Sequence, residues 1–164
     1  MSKEQVVDLS KIKTGGTFLT NVVGSEKVFC KELFSEEEKM IYEAMHDFAI
    51  NELLPLSQNE LNKKDEKLIR KLVEQMGDLG FLGIDVPEKY GGSEMTKTGM
   101  CILAEGISFC GSASFCTVWN VQTSIGSLGI IWYGNDEQKQ KWLPGICSGE
   151  KIAAFGLTEP EAGS

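Results

Sequence analysis

Apolar positions recur at intervals of three and four along much of the chain, the period of helices that bury one face. Ser35 and Glu38 stand at capping-box spacing, and Ile41, Ala44, Met45, Phe48 and Ala49 then mark one apolar face until Pro55 ends the run. A second helix is predicted from Asp65, with Leu68, Ile69, Leu72, Val73 and Met76 on one face and Gly80 as its stop. Residues 81–92 lose the helical period and are predicted to form a loop with buried anchors, turning over 87–92. A third helix is predicted over roughly 96–109, with Gly111 separating it from the next. Asn135 and Gln138 repeat the capping-box spacing, and the short helix they open is predicted to reach about Trp142 and stop at Pro144. Stripes of this kind are the ordinary signature of core packing.

Residues 106–135 contain no charged side chain. Ser112, Ser114, Thr117, Asn120, Gln122, Thr123, Ser124 and Ser127 interrupt the apolar run, which excludes a membrane span. A helix uncharged on all sides is predicted to lie buried among other helices, where its small residues permit close packing or line a cavity.

Beyond Pro144 the pattern changes. Residues 145–149 read as a turn, and 150–157 as a strand that ends at Thr158. One strand alone leaves its backbone groups unpaired, so its partners must come from other sequence or another chain. Residues 1–31, with mixed composition and a Gly15-Gly16 break, read as an arm. The expected organisation is therefore an arm over 1–31, a helical domain over 32–149, and the start of a β-type domain over 150–164.

Composition narrows the function classes. The 164 residues suffice for one domain with a real core, and the 41% hydrophobic and 24% charged content is that of a globular protein. Acidic residues outnumber basic ones 24 to 16, net −8, with no Lys/Arg cluster, so nucleic acid and anionic membrane are not expected partners. Cys30, Cys101, Cys110, Cys116 and Cys147 are odd in number, have no C-x-x-C spacing and lie mostly among apolar residues, which suits a reducing compartment. His46 is the only histidine, so neither a zinc site nor a Ser-His-Asp triad is expected. The first residues lack an apolar leader core and include Glu4 and Asp8, and the expected location is cytoplasmic.

The candidate chemistry lies in the last ten residues, Phe155-Gly156-Leu157-Thr158-Glu159-Pro160-Glu161-Ala162-Gly163-Ser164. A threonine ending an apolar strand can offer its hydroxyl to the polar edge of a flat heterocycle. Small residues at the following turn let backbone N–H groups approach a phosphate. This run closely resembles the signature of the acyl-CoA dehydrogenase family: Leu157, Thr158-Glu159-Pro160, one variable residue, then Ala162-Gly163-Ser164. Leu79-Gly80-Phe81-Leu82-Gly83-Ile84, Val86-Pro87-Glu88-Lys89-Tyr90-Gly91-Gly92 and Tyr133-Gly134-Asn135-Asp136-Glu137-Gln138-Lys139 resemble further family segments in the same order. The resemblance runs from about Leu33 to Ser164, roughly four fifths of the chain. More weakly, residues 14–19 resemble the prelude of larger members that favour long acyl chains.

The resemblance implies a mainly α fold: the orthogonal, up-and-down helical bundle of the family's N-terminal domain, followed by the first strand of a truncated β-domain. It implies FAD as cofactor, with Phe155, Leu157, Thr158, Gly163 and Ser164 in the flavin-contacting segment. By the same resemblance Thr158 meets the flavin pyrimidine edge, Gly163 and Ser164 approach the pyrophosphate, and Ser164, Trp119 and Gln122 border substrate. The implied reaction is α,β-dehydrogenation of an acyl-CoA thioester, with electrons passing to electron-transferring flavoprotein and a homodimer or homotetramer as the complete assembly. The implied catalytic base comes from sequence beyond Ser164, and Glu159 and Glu161 are expected only to shape the turn. Two alternatives are a flavin monooxygenase or nitroalkane oxidase on the same fold, and a non-enzymatic helical interaction module.

Overall fold

A computed structural model describes residues 31–56, 60, 61, 63 and 65–162. The resemblance at 14–19, the arm before residue 31, Cys30, Gly163 and Ser164 lie outside the described residues. The chain forms two compact units, Met1–Lys39 and Met40–Ser164. The first contains the short 3-10 turn Lys31–Leu33 and the beginning of helix α1, Glu36–Phe48. Its start is the expected capping box: Ser35 N donates to Glu38 Oε2 at 2.9 Å, and Glu38 N donates to Ser35 Oγ at 3.1 Å.

The second unit is helical throughout its described length apart from loops. α1 does not run unbroken to Pro55. It widens to a π-turn over Ala49–Leu53, where Leu54 N donates to Ala49 O, and closes in a 3-10 turn, Leu54–Leu56. The wider pitch keeps Ala49 and Leu53 both fully buried, so packing overrides regular helix geometry there. Helix α2, Glu66–Asp78, starts as Asp65 Oδ1 accepts from Lys67 N and Leu68 N. It ends on Gly80 at φ +77, with Phe81 N bonded to Met76 O and Gly80 N to Gly77 O. The loop beyond drops Phe81, Leu82, Ile84 and Val86 into the interior, as expected.

Helix α3, Lys97–Ile107, passes into a 3-10 turn, Ser108–Cys110, and Gly111 at φ +71 breaks it from α4, Ala113–Thr123. Helix α5, Leu128–Tyr133, and helix α6, Asp136–Cys147, follow. Asn135 caps α6 with the full reciprocal capping box. One core joins Met45, Leu53, Val73, Met76, Leu103, Phe115 and Trp119; a second, smaller cluster joins Val86, Tyr90, Leu143 and Cys147.

Two further expectations need correction. α6 does not stop at Pro144; it continues to Cys147. Proline removes a single hydrogen bond there, while Leu143, Ile146 and Cys147 bury the last turn. The uncharged stretch is not buried all round, since Ile125, Trp132 and Tyr133 are exposed, Tyr133 by 85%. Residues 152–157 are extended without strand pairing among the described residues, whose only bridge is Glu159 with Ala162; the expected strand takes its partner from other sequence.

Candidate functional site

The segment after α6 is built from the helices outward. Gly149, at φ +78, reverses the chain, and Lys151 N donates back to Gly145 O at 2.8 Å. Arg70 Nη1 from α2 donates to Glu150 O at 3.3 Å. From residue 154 onward the described chain is exposed, including Phe155 at 53% and Leu157 at 56%. The chain then turns over Pro160 and Glu161, closed by Glu159 N to Ala162 O at 2.8 Å and Ala162 N to Glu159 O at 3.2 Å. This is the turn expected around the proline. Glu159 and Glu161 are exposed on it.

Thr158 is exposed and makes no hydrogen bond to another described residue. A Cβ added at Gly156 would meet nothing within 4 Å. One face of this segment is therefore open to a flat group, with a hydroxyl, backbone N–H groups and apolar side chains as its donor set.

Trp119 and Gln122 lie on the inward side of α4, at 3% and 1% exposure. Trp119 Nε1 donates to Phe81 O at 3.1 Å, and its ring borders a cleft of about 290 Å³ between α3 and α4. Ala104, Ile107, Ser108, Cys116, Thr117 and Asn120 complete that cleft. Asn120 lies within the run from Trp119 to Gln122 that the resemblance sets near the acyl chain; Ala104, Ile107, Ser108 and Cys116 were not singled out, although Cys116 and Asn120 stand four apart, at helical spacing. Gln122 instead directs its amide at main chain, donating to Ile146 O at 2.9 Å and Lys151 O at 2.8 Å and accepting from Ala153 N at 2.8 Å.

The cleft lining holds no carboxylate and no histidine. Its one ionisable group is Cys116, whose thiol burial and the neighbouring Cys110 sulfur push up to about 12. It stays protonated at neutral pH and offers no ready nucleophile. His46 is half-buried, stacked on Tyr42 and T-shaped against Phe109. No group of three potential metal ligands occurs among the described residues, and no helix there is long and apolar enough to cross a membrane.

The arrangement thus joins a cleft of apolar and uncharged polar lining to a segment with one open face, and the cleft lining supplies no acid or base. Residues 35–150 match the family model described as the N-terminal domain of acyl-CoA dehydrogenase. A probable acyl-CoA dehydrogenase of Bacillus subtilis is 40% identical over 153 residues, covering 93% of this chain and 25% of the relative. The crystal structure of an acyl-CoA dehydrogenase complexed with FAD from Bacillus anthracis superposes with a TM-score of 0.79 at 41% identity, over 91% of this chain and 25% of that one. A chain of the electron transferring flavoprotein of Acidaminococcus fermentans, solved toward a mechanism of flavin-based electron bifurcation, gives 0.67 at 32% identity, over 82% and 34%. This chain spans about a quarter to a third of the length of these relatives.

Proposed function

The chain belongs to the acyl-CoA dehydrogenase family, and from that premise we propose that it forms the N-terminal part of an FAD-dependent enzyme that dehydrogenates acyl-CoA thioesters. The observation that carries this reading is the open segment 155–158, exposed directly after the helical region that the family model matches. A relative binds FAD, and the groups here suit a flavin: a Thr158 hydroxyl with no hydrogen bond to another described residue, an open face at Gly156, and exposed Phe155 and Leu157. Bound flavin supplies acceptance of the substrate's β-hydrogen as hydride. Thr158 and the Leu157 backbone would hold its pyrimidine edge, and Gly163 and Ser164 its pyrophosphate, with Ser164 also beside substrate.

The α3–α4 cleft would take the acyl chain, which the presence of Trp119 in its lining supports. The proton at the α-carbon needs a base that this chain does not bring to the cleft. The complete protein would draw its base from other sequence, pass electrons to electron-transferring flavoprotein, and assemble as a homodimer or homotetramer. An FAD-dependent enzyme with free thiols at Cys101, Cys110, Cys116 and Cys147 fits the reducing cytoplasm. The 32%-identical chain within an electron transferring flavoprotein structure supports the electron-acceptor part of the reading.

The test is a chimera that joins this chain to the remaining three quarters of the Bacillus subtilis relative. It is expected to purify yellow with stoichiometric FAD and to bleach anaerobically with an acyl-CoA. The isolated chain is expected to do neither. A colourless chimera, or a flavin indifferent to every acyl-CoA length tried, counts against the proposal.

A further inference from the structure

Gln122 is a buried amide that uses each of its polar sites on main chain from two other parts of the fold. Its Nε2 donates to Ile146 O in the last turn of α6 and to Lys151 O, and its Oε1 accepts from Ala153 N. The pair to residues 151 and 153 has a specific meaning. In a parallel sheet, one residue donates its N–H to the carbonyl before its partner and accepts from the N–H after it. Gln122 reproduces that pattern around Ile152 with a side-chain amide. It pairs with the chain on either side of Ile152 as a neighbouring strand would. Gly126 completes the guide: a Cβ there would lie 2.9 Å from Ala153 Cβ and 3.1 Å from its carbonyl carbon.

We infer that Gln122 is the positioning residue that sets the direction in which the chain leaves the helices, and through it the placement of Thr158 against the flavin. The inference rests on the reading of Thr158 as a flavin contact. Its leverage is geometric. Thr158 stands five positions beyond Ala153, up to about 16 Å of extended chain. A swing of about 20° at Ala153 would move Thr158 by about 5 Å, more than a hydrogen bond tolerates. Gln122 therefore acts on the cofactor through the chain, by way of Thr158.

The experiment is a double-mutant cycle in the flavin-loaded chimera, with Gln122→Leu, Thr158→Val and both together. Gln122→Leu is expected to weaken FAD retention on the order of tenfold or more and to shift the visible flavin bands, with helical circular dichroism unchanged. The double variant is expected to be no worse than Gln122→Leu alone, because Thr158 has already left its place. In the free chain, the Ala153 amide is expected to exchange slowly with solvent and to lose that protection in Gln122→Leu. If Thr158→Val weakens FAD while Gln122→Leu leaves affinity and spectrum intact, the positioning role is overturned. Additive losses also overturn it, because Gln122 would then act other than through Thr158. If Thr158→Val is silent, the flavin contact itself is wrong and the inference falls with it. Should Gln122→Leu not fold, Gln122→Met, which keeps the length of the side chain and removes its amide, is read by the same assays with the same expected losses; unchanged FAD retention in that variant overturns the role.

Discussion

The indole Nε1 of Trp119 donates to the carbonyl oxygen of Phe81 at 3.1 Å, joining the middle of α4 to the loop that follows α2. Both residues are buried, at 3% and 2% exposure, so water has little access to either group. The bond satisfies a carbonyl that the end of α2 leaves without a helical partner.

Trp119→Phe keeps an aromatic ring in the core but strips the Phe81 oxygen of its donor. The expected cost is about 2–3 kcal/mol, from an unsatisfied buried acceptor plus lost contact area. Urea denaturation of the chain reads this directly. A loss below about 0.5 kcal/mol would mean that another donor reaches Phe81 and that the indole is ordinary filling.

Gly77 gives a prediction whose sign opposes helix propensity. Gly→Ala in an exposed helix interior normally stabilises by about 1 kcal/mol. In α2, a Cβ at Gly77 would stand 2.1 Å from Ser148 O and 2.3 Å from its carbonyl carbon, both backbone atoms just beyond α6. Gly77→Ala is therefore expected to destabilise by about 2 kcal/mol or more. Gly80→Ala meets nothing within 4 Å and bears only the left-handed conformation at φ +77, a cost of about 1–2 kcal/mol. Thermal denaturation of the two variants should rank Gly77→Ala as the less stable; the reverse order would place the 148–149 turn away from α2.

What the sequence disclosed depended on the range of the interaction. Helices showed where caps and stripes are local: Asn135 with Gln138, Asp65 before its helix, and the left-handed Gly80 are all set within a few residues. Pro144 misled because its local cost is outweighed by burial of Leu143, Ile146 and Cys147, which depends on Val86 and Tyr90 more than 50 residues earlier. The candidate flavin segment was legible as a motif, since its residues are contiguous. The Gln122 clamp was not, because it spans 24 residues to Ile146 and 31 to Ala153. No one-dimensional pattern marks a side chain that pairs as a neighbouring strand would.

The thiols set an alkaline limit on stability. Burial, then the charge of Asp85, pushes Cys147 from 9.0 to about 11, and burial, then the Cys110 sulfur 3.5 Å away, pushes Cys116 to about 12. Both bind their proton more tightly in the folded chain than in the unfolded one. Their contribution is thus whole below the ordinary thiol range and is lost as pH rises from there through about 11 and 12. Denaturation midpoints should stay level in neutral buffer and decline above pH 9.0, and Cys147→Ala should make the decline shallower. Exposed Cys101 should be alkylated by iodoacetamide well before either, and modification of Cys116 ahead of Cys101 would contradict the burial seen here.

Tyr90 and Asp136 predict the opposite limb. The Tyr90 hydroxyl donates to Asp136 Oδ1 at 2.6 Å, across 46 residues of sequence, and Lys89 Nζ lies 3.5 Å from the same oxygen. The Tyr90 hydrogen bond first, and the Lys89 charge second, hold the Asp136 carboxyl below the usual range. Asp136 also opens α6, where the helix N-terminus favours a negative charge. A depressed carboxyl contributes stability that is present above its unfolded value and lost as pH falls through its folded value. In Tyr90→Phe the ring still fills the cluster with Val86, Leu143 and Cys147, so packing is conserved and only the hydroxyl is lost. Asp136 should then titrate closer to an ordinary aspartate in carboxyl NMR. The variant should be less stable than the parent at neutral pH, and the gap should narrow as acid protonates Asp136 in both proteins. A gap that stays constant from neutral to acid pH would show that Tyr90 contributes through its ring alone, and that the hydroxyl does not hold the carboxylate.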